Sequence, residues 1–309
     1  MKLKTSVNEF LEYLEVEKGC SPLTIRNYRH YLTRFYDWLS ENYPTMVKPE
    51  DIDLNIIKKY RLFLARLRKR DGTQLRRATQ TYYILALRAL LRYLIVQRDV
   101  PALSPDKIQL PKQSSHLVQF LDSEQVERLL DTPEIANKAV LRDKAILETL
   151  FSTGLRVSEL VKLNRDQINL ERKEFGVKGK GGKLRVVFLS DTASHWLDRY
   201  LQSRKDNFAP LFIRYSGTVD ARNNGERMRL TARSVQKIVS KYAKKCRLPV
   251  EVTPHTLRHS FATDLLMRGA DLRSVQEMLG HQSIRTTQVY THVTNRHLKE
   301  VHKAFHGRK

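Results

Sequence analysis

The chain has 309 residues, 41% of them hydrophobic and 29% charged, which excludes a disordered or fibrous chain and is length enough for two domains. Its formal net charge is +23, from 56 Lys and Arg against 33 Asp and Glu, a surplus that attracts a polyanion. Up to Leu110 there are 20 basic and 12 acidic residues, a surplus of +8 that leaves +15 beyond, so no single charged tail explains the excess. A clamp that grips a long polyanion with both halves does explain it. The two cysteines, Cys20 and Cys246, lie far apart without CxxC spacing. That excludes a disulfide framework and a thiolate zinc site, and fits a cytoplasmic location.

The N-terminus lacks the apolar segment of a secretion signal. Ser21 and Pro22 form a helix start, with Ser at the N-cap and Pro at the first helical position. Behind them Ile25, Tyr28, Leu32, Phe35 and Leu39 follow spacings of three and four, an apolar face. Arg26, Arg29 and Arg34 lie mostly off it. A further helix is expected from about Asp53 to Arg70, ending at the turn signal Asp71-Gly72, and another from about Ala78 to Arg98. Within the last, Ile84–Val96 is the most apolar long stretch. It carries Arg88 and Arg92 on one stripe, the mark of an amphipathic helix rather than a membrane span.

Pro101, Pro105 and Pro111 punctuate a polar stretch ending near Leu117, which a helix cannot cross. The domain boundary is placed there: residues 1–100 form a helical domain, 101–117 a linker and 118–309 a second domain. Beyond it, Leu121 to Glu124 opens a helix, and Val140–Phe151 forms another that stops at Gly154. Glu174–Val177 and Leu184–Leu189 read as two strands of a hairpin with a lysine-rich tip. From Asp191 onward the pattern is mainly helical, broken by a strand candidate at Leu211–Ile213 and a polar loop over Thr218–Met228. The fold class is therefore mainly α with a small β-sheet.

Four segments of the second domain carry possible chemistry. Arg156 follows Gly154 at the start of a short helix, and taken alone it is a surface Arg in a turn. The hairpin tip Lys178 to Lys183 resembles a phosphate-binding P-loop but fails it, with Val177 where Gly is needed and Leu184 where Ser or Thr is needed. In the third, Pro254 suits a first helical turn, which puts His255 and Arg258 on one face. His255 and His259 have zinc-ligand spacing, yet Arg258 rather than a glutamate lies between them and no carboxylate ligand is evident, so no metal is expected. In the fourth, Ser283 can cap a helix carrying Tyr290, by itself an ordinary packed tyrosine.

Order and spacing join them. His255-x-x-Arg258-His259, Leu279-Gly280-His281 and Tyr290-Thr291-His292 nine residues later form a highly specific set. With the segment Thr153 to Leu160 and the helix of Ser21, Thr24 and Tyr28, it resembles the tyrosine recombinase (phage integrase) family over nearly the whole chain, most of all its bacterial Xer-type members. The resemblance implies an N-terminal helical core-binding domain and a mixed α/β catalytic domain with a C-terminal interaction helix. It implies catalytic roles for Arg156, Lys180, His255, Arg258 and His281, with Tyr290 as nucleophile. Lys178 and Lys183 flank Lys180, and the sequence leaves open which of the three reaches DNA.

On that reading the phosphorus of a phosphodiester is transferred to Tyr290 as a 3′-phosphotyrosyl intermediate. Two guanidiniums suit the charge on its non-bridging oxygens. A phenol with pKa of about 10 needs a base, for which His255 is suited. The leaving 5′ oxygen needs a proton, for which the hairpin lysine is suited, and His281 adds a hydrogen bond to the phosphate. Neither metal nor ATP is needed. The implied partners are a double-stranded DNA recombination site and further recombinase subunits, as a homo- or hetero-tetramer, with no membrane. The Leu298, Val301 and Phe305 stripe then docks on a neighbouring subunit. Chromosome or plasmid dimer resolution is the expected role; the alternatives are an integrase of a phage or mobile element, or a DNA-binding protein with a decayed site.

Overall fold

Local caps start most helices of this protein. In the computed structural model, which describes residues 2–46, 48–69, 71–111, 119–179, 182–281, 283 and 287, the Ser21 hydroxyl accepts from the backbone N–H of Thr24 and Pro22 opens its helix. Asp53, Asp122, Asn137, Ser190, Thr231, Thr253 and Asp271 cap later helices in the same way, each satisfying an orphan N–H. The chain divides into two units, Met1–Ser115 and His116–Lys309.

The first unit packs α1 (Leu3–Val16), α2 (Pro22–Asn42), α3 (Leu54–Arg66) and α4 (Arg77–Arg98) around one core. Ile25, Leu32, Phe35 and Leu39 are buried as their spacing requires, with Tyr28 packed at the edge. Helix α3 ends four residues before the expected Arg70. Its chain turns through Asp71-Gly72 and pairs Arg68 with Gln74 in an antiparallel bridge, so the turn reaches back into the would-be last helical turn. Part of the expected linker packs here as well: Ile108 joins this core and Ala102, Leu103 and Leu110 lie against it.

The second unit is built around α6 (Lys138–Thr153), buried on every side from Leu141 to Leu150. Its charged residues are paired inside: Arg142 with Asp143 at 2.6 Å, and Lys144 with Glu148 at 2.9 Å. Packed around it are α5 (Ser123–Asp131), α7 (Val157–Leu160), α8 (Asp191–Ser203), α10 (Ala232–Lys245), α11 (Pro254–Met267) and α12 (Leu272–Leu279). Strands β1 (Glu174–Lys178) and β2 (Leu184–Phe188) form the antiparallel hairpin, with Val177 opposite Arg185.

Leu211–Ile213 is extended and buried but is not a strand. Leu211 donates to Leu163 on one side, while Phe212 accepts from Leu230 on the other, so no continuous ladder forms with either neighbour. Thr218–Met228, expected as a polar loop, holds a short helical turn α9 (Arg222–Gly225) and a 3-10 turn (Glu226–Met228). It is anchored by Gly225 beneath Phe208, where an added Cβ would lie 2.2 Å from the ring, and by the buried Met228. Among the described residues no helix is long and apolar enough to cross a membrane.

Candidate active site

Three helix ends build the site. Helix α6 stops at Gly154, whose φ of +58° turns the chain back. A Cβ there would lie 2.4 Å from Phe261 of α11, so the bend can come this close only with glycine. Two residues on, Arg156 is the N-cap of α7, and its backbone N–H donates to Glu159 Oε2 at 2.9 Å. Helix α12 ends at Gly280, again left-handed at φ +64°, and His281 follows.

Arg258 joins two of these ends. It is 3% exposed, and its Nη1 donates to Gly154 O at 2.6 Å while Nη2 donates to Leu279 O at 2.7 Å. A guanidinium shared by the carbonyl termini of α6 and α12 is favoured by both helix dipoles. Two further arginines use the same turn. Arg156 Nη2 donates to Gly280 O at 3.4 Å, and Arg185 Nε, reaching over from β2, donates to Met278 O at 3.2 Å. Three consecutive carbonyls, 278 to 280, are thus each held by a different arginine.

One buried carboxylate balances part of this charge. Glu159 accepts from Arg156 Nη1 at 2.8 Å and from both terminal nitrogens of Arg185, at 3.1 and 2.8 Å. Burial would raise its pKa, but the hydrogen bonds and charges of Arg185 and Arg156 outweigh it and hold the carboxyl at about 2.

The histidines sit in the field of these arginines. Burial and then Arg258 and Arg156 lower the pKa of His255. His281 is pushed down to about 4 by burial and then by the same two arginines, with His259 and Arg185 adding to it. His259 reaches about 4 through burial, His255 and Arg258. All three are therefore neutral near pH 7: a neutral His255 can accept a proton, and a neutral His281 can donate a hydrogen bond. The Nδ1 of His281 is hydrogen-bonded with Thr287 Oγ1 at 3.0 Å, and Thr287 is fully buried.

Of the residues singled out in the sequence, Arg156, His255, Arg258 and His281 come together. Lys178 lines a cleft with Arg156 and Glu159, and Lys183 lines a neighbouring one with Arg185, Gly280 and His281. Lys180, Tyr290, the helix that Ser283 would cap and the stripe of Leu298, Val301 and Phe305 lie outside the described residues. The His255 and His259 rings are 6.5 Å apart. Among the described residues no group of three or more His, Cys, Asp or Glu is placed to hold a metal ion. Two members were missed, Glu159 and Arg185. The available signal was Arg185 at an inward position of β2, between the outward Leu184 and Val186, where a charge needs a buried partner.

A four-helix unit followed by a mainly helical domain, with arginines and neutral histidines gathered at joined helix ends, fits a DNA strand transferase of the integrase class. The family models agree: residues 119–297 match the phage integrase family and residues 7–98 its N-terminal SAM-like domain. The chain belongs to the phage integrase family, the tyrosine recombinases. It is 38% identical to the tyrosine recombinase XerD of Listeria innocua over 98% of both chains. It is also 38% identical to the tyrosine recombinase XerC of Pelobacter propionicus, over 98% of this chain and 96% of that one. Among solved structures, a XerH site-specific recombinase bound to palindromic difH substrate in a post-cleavage complex aligns with TM-score 0.71 and 25% identity, over 96% of this chain and 84% of that one. The XerA recombinase aligns over the full length of both chains with TM-score 0.53 and 28% identity.

Proposed function

We propose that this enzyme cuts and rejoins the strands of a double-stranded DNA recombination site with Arg156, Lys180, His255, Arg258, His281 and Tyr290. Tyr290 attacks the phosphorus, its phenolic proton passes to His255, and the P–O5′ bond breaks as a hairpin lysine, taken as Lys180, protonates the leaving oxygen. Arg156 and Arg258 neutralise the non-bridging oxygens, where preorganised cations contribute several kcal/mol. The 3′-phosphotyrosyl bond conserves the energy of the phosphodiester, so attack by a free 5′-hydroxyl reverses the sequence on the same or an exchanged strand. The observation that carries this reading is the gathering of Arg156, His255, Arg258 and His281 at the joined ends of α6 and α12.

Residues 1–100 serve as the core-type DNA-binding domain and 118–309 as the catalytic domain, with 101–117 as the linker, whose stretch up to Leu110 packs against the first domain's core. The role taken for it is the resolution of chromosome or plasmid dimers by four subunits on DNA, a reading that rests on its likeness to recombinases of the Xer type. In that assembly the segment with Leu298, Val301 and Phe305 docks on a neighbouring subunit. Truncation after Thr294 is accordingly expected to preserve DNA binding but abolish tetrameric synapsis, read by native gel shift with two labelled duplexes.

A nicked suicide duplex tests the chemistry. The wild type is expected to accumulate a covalent protein–DNA adduct and Tyr290→Phe none, while an adduct surviving in Tyr290→Phe would remove the nucleophile from its role. The lysine is assigned by giving Lys178→Ala, Lys180→Ala and Lys183→Ala a duplex with sulfur in place of the bridging 5′ oxygen. A thiolate, whose acid has a pKa of about 8.5, leaves without a proton. Only the variant lacking the acid is expected to recover on it.

A further inference from the structure

We infer that Arg185 is a positioning residue that clips the lysine hairpin to the arginine cage and so sets where the hairpin's lysine meets the leaving oxygen. The inference rests on the reading that a hairpin lysine is the general acid.

The register of β2 gives the first reason. Arg185 stands opposite Val177, one pair in from Lys178 and Leu184, where the hairpin opens toward its tip. Side chains alternate along the strand: Leu184, Val186 and Phe188 are 72%, 53% and 54% exposed, while Arg185 and Val187 point inward. An apolar residue would suffice to pack a strand, so the inward side chain nearest the tip is a charge for another reason. Buried ion pairs are a weak source of stability compared with well-packed apolar groups, but they fix geometry.

Its partners give the second. Among the described residues the guanidinium reaches elements of the site: Glu159 through two nitrogens, and Met278 O through the third. Glu159 in turn holds the backbone and side chain of Arg156, and Met278 lies three residues before His281. A single side chain thus ties the hairpin to both the first arginine and the turn before the histidine. A glycine leaves it room on the side of the turn. A Cβ on Gly280 would stand 3.0 to 3.2 Å from its Cδ, Nη1 and Nε, whereas one on Gly179, at the neck of the hairpin, would make an ordinary contact with Nη1 at 3.4 Å. The side chain thus fits closely against the turn while touching the neck.

A positioning role through the lysine differs from a merely structural one in which substrate it affects. Arg185→Gln should slow cleavage of the ordinary suicide duplex by on the order of 10²-fold, the lower range for loss of general acid catalysis. On the duplex with a bridging 5′ sulfur, which needs no proton, the same variant should run within a few-fold of wild type. Equal slowing on both substrates, at unchanged DNA affinity and thermal midpoint, would overturn the inference. If Arg185→Gln does not fold at the assay temperature, the comparison is made with Arg185→Lys, which keeps the charge and one contact and is expected to show a smaller defect of the same selectivity. Should a lysine variant recover on sulfur and neither Arg185 variant do so, the positioning role fails while the acid reading stands. Should no lysine variant recover, the acid reading fails and the inference with it.

Discussion

At the scale of single residues, the unusual feature is neutral histidines held among arginines. His259 and His281 are kept near pKa 4 by burial and by neighbouring positive charge, against an ordinary 6.5. Between those values the unfolded chain binds protons at both positions that the folded chain does not. Stability from these residues is therefore complete above about pH 6.5 and declines as pH falls toward 4. Glu159, held at about 2 against an ordinary 4.5, begins to be protonated in the unfolded chain as pH falls below about 5.5 and then adds to the decline, so the histidines dominate it between about 5.5 and 6.5. The midpoint of urea unfolding should drop from pH 7 to pH 5, and His281→Gln should make that drop shallower. A midpoint flat across that range would show that the rings are not held neutral. Arg258 admits an independent check. Lysine can serve Gly154 O or Leu279 O but not both in the present geometry, and one unpaired buried carbonyl costs about 1–3 kcal/mol. Arg258→Lys should lose about that much in chemical unfolding and on the order of 10²-fold or more in adduct formation.

Elements bring these residues together through their ends, and that decides which parts of the molecule the sequence disclosed. Gly154→Ala should test the junction directly. It forces a Cβ to 2.4 Å from the Phe261 ring at a φ of +58°, so a loss of about 1–3 kcal/mol or more is expected in thermal unfolding. Adduct formation should fall with it, because Gly154 O is a partner of Arg258. Helix starts at Ser21, Asp122 and Pro254 were legible because a cap is a local interaction within three or four residues. The end of α3 was not, because Arg68 is recruited by Gln74 after the chain has turned. Leu211–Ile213 has strand composition, and only the positions of Leu163 and Leu230 decide that it joins no ladder. The site divides in the same way. Arg156, His255, Arg258 and His281 stand in short motifs with fixed spacing. Glu159 and Arg185 meet across 26 residues, and Arg185 meets Met278 across 93, separations that leave no periodic trace.

On the scale of the whole molecule, the net charge of +23 acquires two addresses. In the first unit Arg26, Arg29 and Arg34 line one concave face of α2; in the second, Arg233, Lys237 and Lys244 line another along α10. Each phosphate neutralised by such a residue releases counterions and contributes about −0.9 to the slope of log K against log salt. If both faces meet the same duplex, Arg26→Gln with Arg29→Gln should make the slope shallower by about 2, and Gln at 233, 237 and 244 by about 3. The five changes together should then add to about 5, because each phosphate contact releases its own counterions independently. None of these five residues is a partner of Arg156, Arg185 or Arg258 in the hydrogen bonds described above, so adduct formed at saturating DNA and low salt should match wild type. A slope altered by one set and untouched by the other would mean that only one unit grips the duplex. The even spread of charge over both halves would then need another explanation.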